Sequence, residues 1–142
     1  HDFACARKAI EETARRGIRV GAHIILGLPG EDAKESLRQA PIISSLPLTT
    51  LKIHQLQIIR GTRLAKMYAE KPFHLYTVEE YIKLIADYIS LLRPDLVLER
   101  FVSQSPPDLL IAPKWGLKNY EFTHRLHNFI KEKLNNKAQS DK

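Results

Sequence analysis

The sequence predicts an α/β fold of parallel strand–helix units, and three observations support this. The segments "IRVGAHIILGL", "TTLKIHQLQII" and "LVLERFV" have strand character and alternate with amphipathic segments of helical period. Their order, α-β-α-β-α-α-β-loop-α, is that of β/α units rather than hairpins. The length of 142 residues, 44% of them apolar and 27% charged, suffices for one core. Right-handed crossovers then lay three strands side by side with helices on one face.

The elements follow in order. Asp2 is a good N-cap for a helix over 3–16, with Phe3, Ala6, Ile10 and Thr13 or Ala14 on one face, and Gly17 ends it. A buried strand over 18–28 leads to a helix over 31–46, opened by acidic residues and broken or kinked at Pro41. A second strand spans 49–59. After Arg60-Gly61-Thr62, a short helix over 63–71 stops before Pro72. The helix over 77–92 carries the capping box Thr77-x-x-Glu80 and the apolar positions Tyr81, Leu84, Ile85, Tyr88 and Leu92. A third strand over 96–102 is followed by a Pro-rich connection, 103–116, in which Trp115 is expected to anchor the C-terminal segment. A final amphipathic helix spans about 118–135.

Three strands cannot close a barrel and leave sheet edges bare. The chain also starts inside a helical pattern, at His1 and without an initiating methionine. Both features fit the C-terminal half of a partial (β/α) TIM-like barrel over residues 1–105, with a helical extension over 106–135 and a disordered tail over 136–142.

Formal charge is +6, from 22 basic and 16 acidic residues, and the pI is near 9.5. This balance permits an anionic partner such as RNA, because lysines and arginines gain from counterion release. No apolar run approaches the ~20 residues of a membrane span, and no basic-then-apolar leader is evident. The lone Cys5 excludes an internal disulfide framework, so a cytoplasmic, non-membrane protein is expected. His124 and His127 lack a third ligand for zinc, and Ser103 and Ser105 lack a Ser-His-Asp context.

Alternation assigns strand faces. In the first strand Ile18, Val20, Ala22, Ile24 and Leu26 form an apolar face that packs on helices. The other face carries Arg19, Gly21, His23, Ile25 and Gly27, and Gly21, His23 and Gly27 then point into the barrel interior, where β/α barrels place their sites. In the second strand Lys52 and His54 share a face with Leu56 and Ile58, opposite Leu51, Ile53, Gln55, Gln57 and Ile59. In the third, Arg100 shares a face with Leu96, Leu98 and Val102, and Glu99 lies opposite with Val97 and Phe101. Lys52, His54 and Arg100 together suggest a polar ligand cavity, since buried cations need a partner or a task. "GLPGED" has the glycines and helix start of a phosphate loop, but Glu31 and Asp32 would repel an anion. They suit a neutral or cationic ligand with hydroxyls, such as an adenosine bearing a sulfonium.

The stretches "HDF", "AHIILGLPGED", "KIHQLQIIRGTRLAKMY" and "LLIAPKWGLKNYEF" together resemble the C-terminal half of radical S-adenosylmethionine proteins of the YhcC/YtqA type. That group is related to the elongator catalytic subunit and the oxygen-independent coproporphyrinogen oxidases. The likeness covers nearly all of residues 1–125. It implies that Gly21, His23, Ile25 and Gly27 face S-adenosylmethionine. The wider pattern places a glutamate three residues after the last glycine; here Gly30 stands there and Glu31 follows. It further implies that Lys52, His54 and Arg100 line the substrate side, binding an anionic group or transferring a proton.

A [4Fe–4S] cluster held by CxxxCxxC is part of the resemblance, and its ligands must lie outside this chain, in a missing N-terminal half. The implied activity is reductive cleavage of S-adenosylmethionine to a 5′-deoxyadenosyl radical, with flavodoxin or ferredoxin as electron donor and tRNA wobble uridine as a substrate. The fragment itself is expected to be inactive. The alternative is a stand-alone α/β binding module without radical chemistry.

Overall fold

The computed structural model describes residues 2–140. His1 of the HDF motif and residues 141–142 of the expected tail lie outside the described residues. The chain forms α1 (Phe3–Arg15), β1 (Gly21–Leu26), α2 (Ala33–Ser45), β2 (Thr50–Gln55), β3 (Ile58–Ile59), α3 (Arg63–Glu70), α4 (Val78–Ser90), β4 (Val97–Arg100), β5 (Leu110–Ala112) and α5 (Asn119–Ser140). β1, β2 and β4 form a parallel sheet in that order. The strand–helix alternation therefore yields the parallel sheet expected of it.

Local chemistry sets most boundaries. Asp2 caps α1 through a bond from the Cys5 amide to its carboxylate, 2.9 Å long. Both halves of the α4 capping box are present: the Glu80 amide donates to Thr77 Oγ1 at 3.2 Å, and the Thr77 amide donates to Glu80 Oε2 at 2.9 Å. α2 runs through Pro41 as one helix, where the sequence alone suggests a break or kink. Proline removes one N–H from the ladder, and the buried Ser36 and Ala40 hold the helix face against its neighbours.

The core gathers Leu26, Leu51, Ile53, Tyr81, Ile85, Tyr88, Phe122 and Leu126, so strands, α4 and α5 share one apolar interior. α2 packs against α4, and α4 against α5. Residues before and after position 105 both contribute to this core. Trp115 stacks on Phe122 (ring centroids 6.2 Å apart, planes 9° apart) and its indole N–H donates to Tyr76 O at 3.1 Å. That contact anchors the C-terminal segment.

Four departures from the sequence reading have physical causes. The second strand stops at Gln55; Leu56 turns inward, and Ile58–Ile59 pair antiparallel with β5 instead. β5 itself lies within what reads as an irregular Pro-rich connection, because its partner is about fifty positions away. Ile18 lies before β1 and is exposed rather than packed. α5 continues to Ser140, so residues 136–140 of the expected disordered tail are helical.

Candidate functional site

The parallel sheet has one covered face and one open face. On β1, Ala22, Ile24 and Leu26 pack toward the core, while Gly21, His23 and Ile25 are exposed. On β2, Leu51, Ile53 and Gln55 are buried, and Lys52 and His54 are half-buried on the other side. These parities match strand alternation. On β4 the alternation breaks. The register runs from Leu51↔Leu98 to Lys52↔Arg100 and skips Glu99, which is a β-bulge. The bulge brings Arg100 opposite Lys52 and hence onto the open face, although alternation counted from Leu98 puts it in the core. It also brings Glu99 to Lys52, whose Nζ lies 3.1 Å from Glu99 Oε2. Glu99 was expected on the opposite face from Arg100; the skipped residue makes both available to Lys52. That hydrogen bond holds the Glu99 carboxyl below its ordinary range.

His23 and His54 are adjacent. Their rings lie 5.2 Å apart, and His54 Nε2 is 3.2 Å from His23 Nδ1. His54 Nδ1 is hydrogen-bonded to Ser103 Oγ, just beyond β4. Desolvation lowers the His54 pKa, and the neighbouring His23, Arg100 and Lys52 press it in the same direction. Protonation of His54 is thereby disfavoured beside Lys52 and Arg100. The Ser103 peptide is clamped in turn: its N–H donates to Gln55 Oε1 at 2.7 Å, and Gln55 Nε2 donates back to Ser103 O at 3.0 Å. Gln57 Nε2 adds a bond to the same carbonyl at 3.3 Å, and Ser105 Oγ donates to Gln57 Oε1 at 2.7 Å. Beyond these strand ends opens a groove of about 500 Å³, lined among others by Gln55, Gln57, Ser103, Ser105, Lys114 and Trp115.

The loop after β1 is built by its own residues. Leu28-Pro29-Gly30-Glu31 forms a turn closed by the Glu31 amide on Leu28 O at 2.9 Å, with Gly30 at φ +82°. Proline second and a positive-φ glycine third make it type II. Glu31 Oε2 accepts from the Leu28 amide at 3.2 Å, and its Oε1 accepts from Ser36 Oγ at 3.0 Å and Gln39 Nε2 at 2.6 Å. Asp32 caps α2 through the Glu35 amide at 2.7 Å. Both carboxylates of the loop thus have structural tasks, and that of Glu31 is turned toward α2.

Gly27 sits at φ +86°, and a Cβ there would come within 3.0 Å of the Tyr76 ring. Tyr76 and the backbone conformation already account for glycine at this position. At Gly21 a Cβ would meet Thr50 Oγ1 at 2.6 Å, across the strand pair.

Of the residues predicted from sequence, His23, Lys52, His54 and Arg100 come together on the open face. Ile25 stands beside them, exposed, at the free edge of β1. Gly27 and Glu31 lie past the strand end in the loop. Sequence reasoning missed Ser103, Glu99 and the Gln55 clamp. Gln55 left one trace, as an amide among apolar residues on a buried face. Ser103 left none, since only the fold brings it to His54.

Residues 48–132 match the family described as the Radical_SAM C-terminal domain. The chain belongs to that family. Among its relatives, the uncharacterized protein MJ0486 of Methanocaldococcus jannaschii is 32% identical over 94% of this chain and 42% of its own length. YtqA of Bacillus subtilis, also uncharacterized, is 31% identical over 85% of this chain and 38% of its own. YhcC of Escherichia coli is 26% identical over 93% and 43%. This Radical_SAM C-terminal domain chain therefore spans about two fifths of the length of the curated relatives it matches. Among solved structures, the Elp3 of Methanocaldococcus infernus lacking residues 1–46 superposes with a TM-score of 0.81 at 20% identity, over 94% of this chain and 31% of that one. At that identity the likeness establishes a shared fold.

Among the described residues no helix is long and apolar enough to cross a membrane. None of their His, Cys, Asp and Glu side chains form a group of three able to hold a metal ion.

Proposed function

We propose that this chain forms one wall of the cavity of a radical S-adenosylmethionine enzyme. The reading rests on one observation: a family member exposes a polar face of parallel strands whose other face is core. In a β/α barrel that face and the C-terminal strand ends line the site.

The residues fit the two implied groups differently. The open face accepts S-adenosylmethionine: His23 and Ile25 offer a hydrogen-bonding ring and an apolar contact on the exposed face of β1. Gly21 keeps the backbone beside them bare, and the loop carrying Gly27 and Glu31 bounds the site. The chain does not fit the [4Fe–4S] cluster, because Cys5 is its single thiol and is exposed on α1. Cluster ligands come, in this reading, from a preceding half of the same polypeptide. When bound, S-adenosylmethionine supplies one-electron chemistry once reduced, with flavodoxin or ferredoxin as the donor class.

This chain's own residues bind and orient. Arg100 offers an anionic substrate group a cation, while Lys52 is held by Glu99 at the base of the face. His54, whose pKa is lowered by burial and by the neighbouring cations, holds or moves a proton. The groove beyond the strand ends, with Lys114 at its rim, lies where a substrate would approach. A tRNA uridine is the substrate class we favour. The net charge of +6 and the grouping of Tyr120, His124 and Arg125, with Glu121 among them, beside the groove-lining Lys118 support it.

The test is anaerobic reduction of a polypeptide carrying this chain together with a CxxxCxxC segment, reading 5′-deoxyadenosine with and without tRNA. Formation of 5′-deoxyadenosine that rises with tRNA, and substrate turnover lost in His54→Ala while uncoupled cleavage persists, is the expected result. No 5′-deoxyadenosine from a cluster-loaded protein would leave a binding module instead.

A further inference from the structure

Three side chains from three segments meet in a row on the open face: His23 on β1, His54 on β2, and Ser103 beyond β4. His54 lies between the other two, 3.2 Å from His23 Nδ1 through its Nε2 and bonded to Ser103 Oγ through its Nδ1. A neutral imidazole has one N–H and one lone pair, so the partner of one nitrogen decides the state of the other. Burial, Arg100 and Lys52 oppose a second proton on His54, and Glu99, the nearby acid, is engaged by Lys52. Ser103 is fixed in place, because Gln55 grips both its N–H and its C=O.

We propose that Ser103 is a positioning residue that sets the tautomers of both histidines. Its hydroxyl donates to His54 Nδ1, so His54 carries its proton on Nε2 and donates to His23 Nδ1. His23 then carries its proton on Nε2 and presents a donor on the open face. The opposite arrangement, with His54 Nδ1–H donating to Ser103, leaves the serine hydrogen with no protein acceptor among the described contacts and only solvent to receive it. A bound molecule must therefore offer His23 an acceptor, a ring nitrogen or an oxygen. What that molecule is rests on the reading above; the tautomer assignment does not.

The test is a long-range proton–nitrogen correlation spectrum of the nitrogen-15-labelled 142-residue chain. It is taken at about pH 8, above the usual histidine pKa of about 6.5. Both histidines are expected as single Nε2–H tautomers. Ser103→Ala is expected to convert His54 to a mixture of tautomers and move His23 with it, whereas Ser103→Thr, which keeps the hydroxyl, preserves the wild-type pattern. A His54 protonated on Nδ1 in the wild type overturns the proposal, as do unchanged tautomers in a folded Ser103→Ala. No S-adenosylmethionine enters this measurement, so its outcome is separate from that of the radical reading.

Discussion

Replacing Gln55 by leucine removes the clamp on Ser103 and keeps the side-chain volume close to constant. Two bonds are lost, the Ser103 amide to Gln55 Oε1 at 2.7 Å and Gln55 Nε2 to Ser103 O at 3.0 Å. A net hydrogen bond is worth about 1 kcal/mol, and a buried donor left unpaired costs about 1–3 kcal/mol. Ser103 O retains Gln57, so the N–H alone is orphaned. Ser103 is half-buried, which lets water reach that N–H and places the penalty at the low end. Leucine at a position only 6% exposed regains part of the loss by burying apolar surface. The net cost comes to about 2 kcal/mol. With a urea slope of about 1–3 kcal/mol per molar, the unfolding midpoint falls by roughly 1 M. Equilibrium urea unfolding followed by circular dichroism reads the shift. The His54 and His23 nitrogen signals of the folded variant are expected to move toward those of Ser103→Ala. A midpoint unchanged within error, together with unperturbed histidine signals, would refute the clamp.

Gly27→Ala should destabilise by about 1–2 kcal/mol through its positive φ alone, with a further cost from the Tyr76 ring 3.0 Å away. In a Tyr76→Ala background only the backbone part should remain, and a double-mutant cycle on urea midpoints separates the two. Arg93→Ala should cost about 2–4 kcal/mol by the same assay. This guanidinium donates to the Ser44, Leu46 and Leu48 carbonyls that end α2 and lead into β2. A loss under about 0.5 kcal/mol, the ordinary range for surface changes, would show those bonds to be incidental. The depressed His54 pKa also predicts a pH dependence. Between its folded value and about 6.5 the unfolded chain binds the extra proton, so His54's share of the stability is complete above about pH 6.5 and is lost as pH falls through that window. Stability measured from pH 5 to 8 should rise less steeply in His54→Gln, and an identical slope would place the titration elsewhere.

Local chemistry made much of this protein legible in its sequence. The order of the five helices and the three parallel strands among the described residues follows from hydrophobic period, the ends of α1 and α4 from Asp2 and the Thr77–Glu80 box, and the open face of β1 from strict alternation. Each depends on residues a few positions apart, which the chain specifies wherever it lies. The choice of His23, Lys52 and His54 as neighbours needed only that β1 and β2 pair in parallel.

The tertiary structure decided the rest. Arg100 reaches the site because β4 bulges at Glu99, and Lys52 finds its acid for the same reason. Tyr76, from a distant loop, crowds the position of a Cβ at Gly27, adding to the positive φ that already favours glycine there. Ser103 meets His54 across 49 positions, Gln55 meets Ser103 across 48, and Arg93 meets Ser44 across 49. Serine, glutamine and arginine suit many surfaces equally well, so no local pattern marks them. Their roles arise when parallel pairing brings strand ends and helix ends to one side, where each buried donor and acceptor must find its complement.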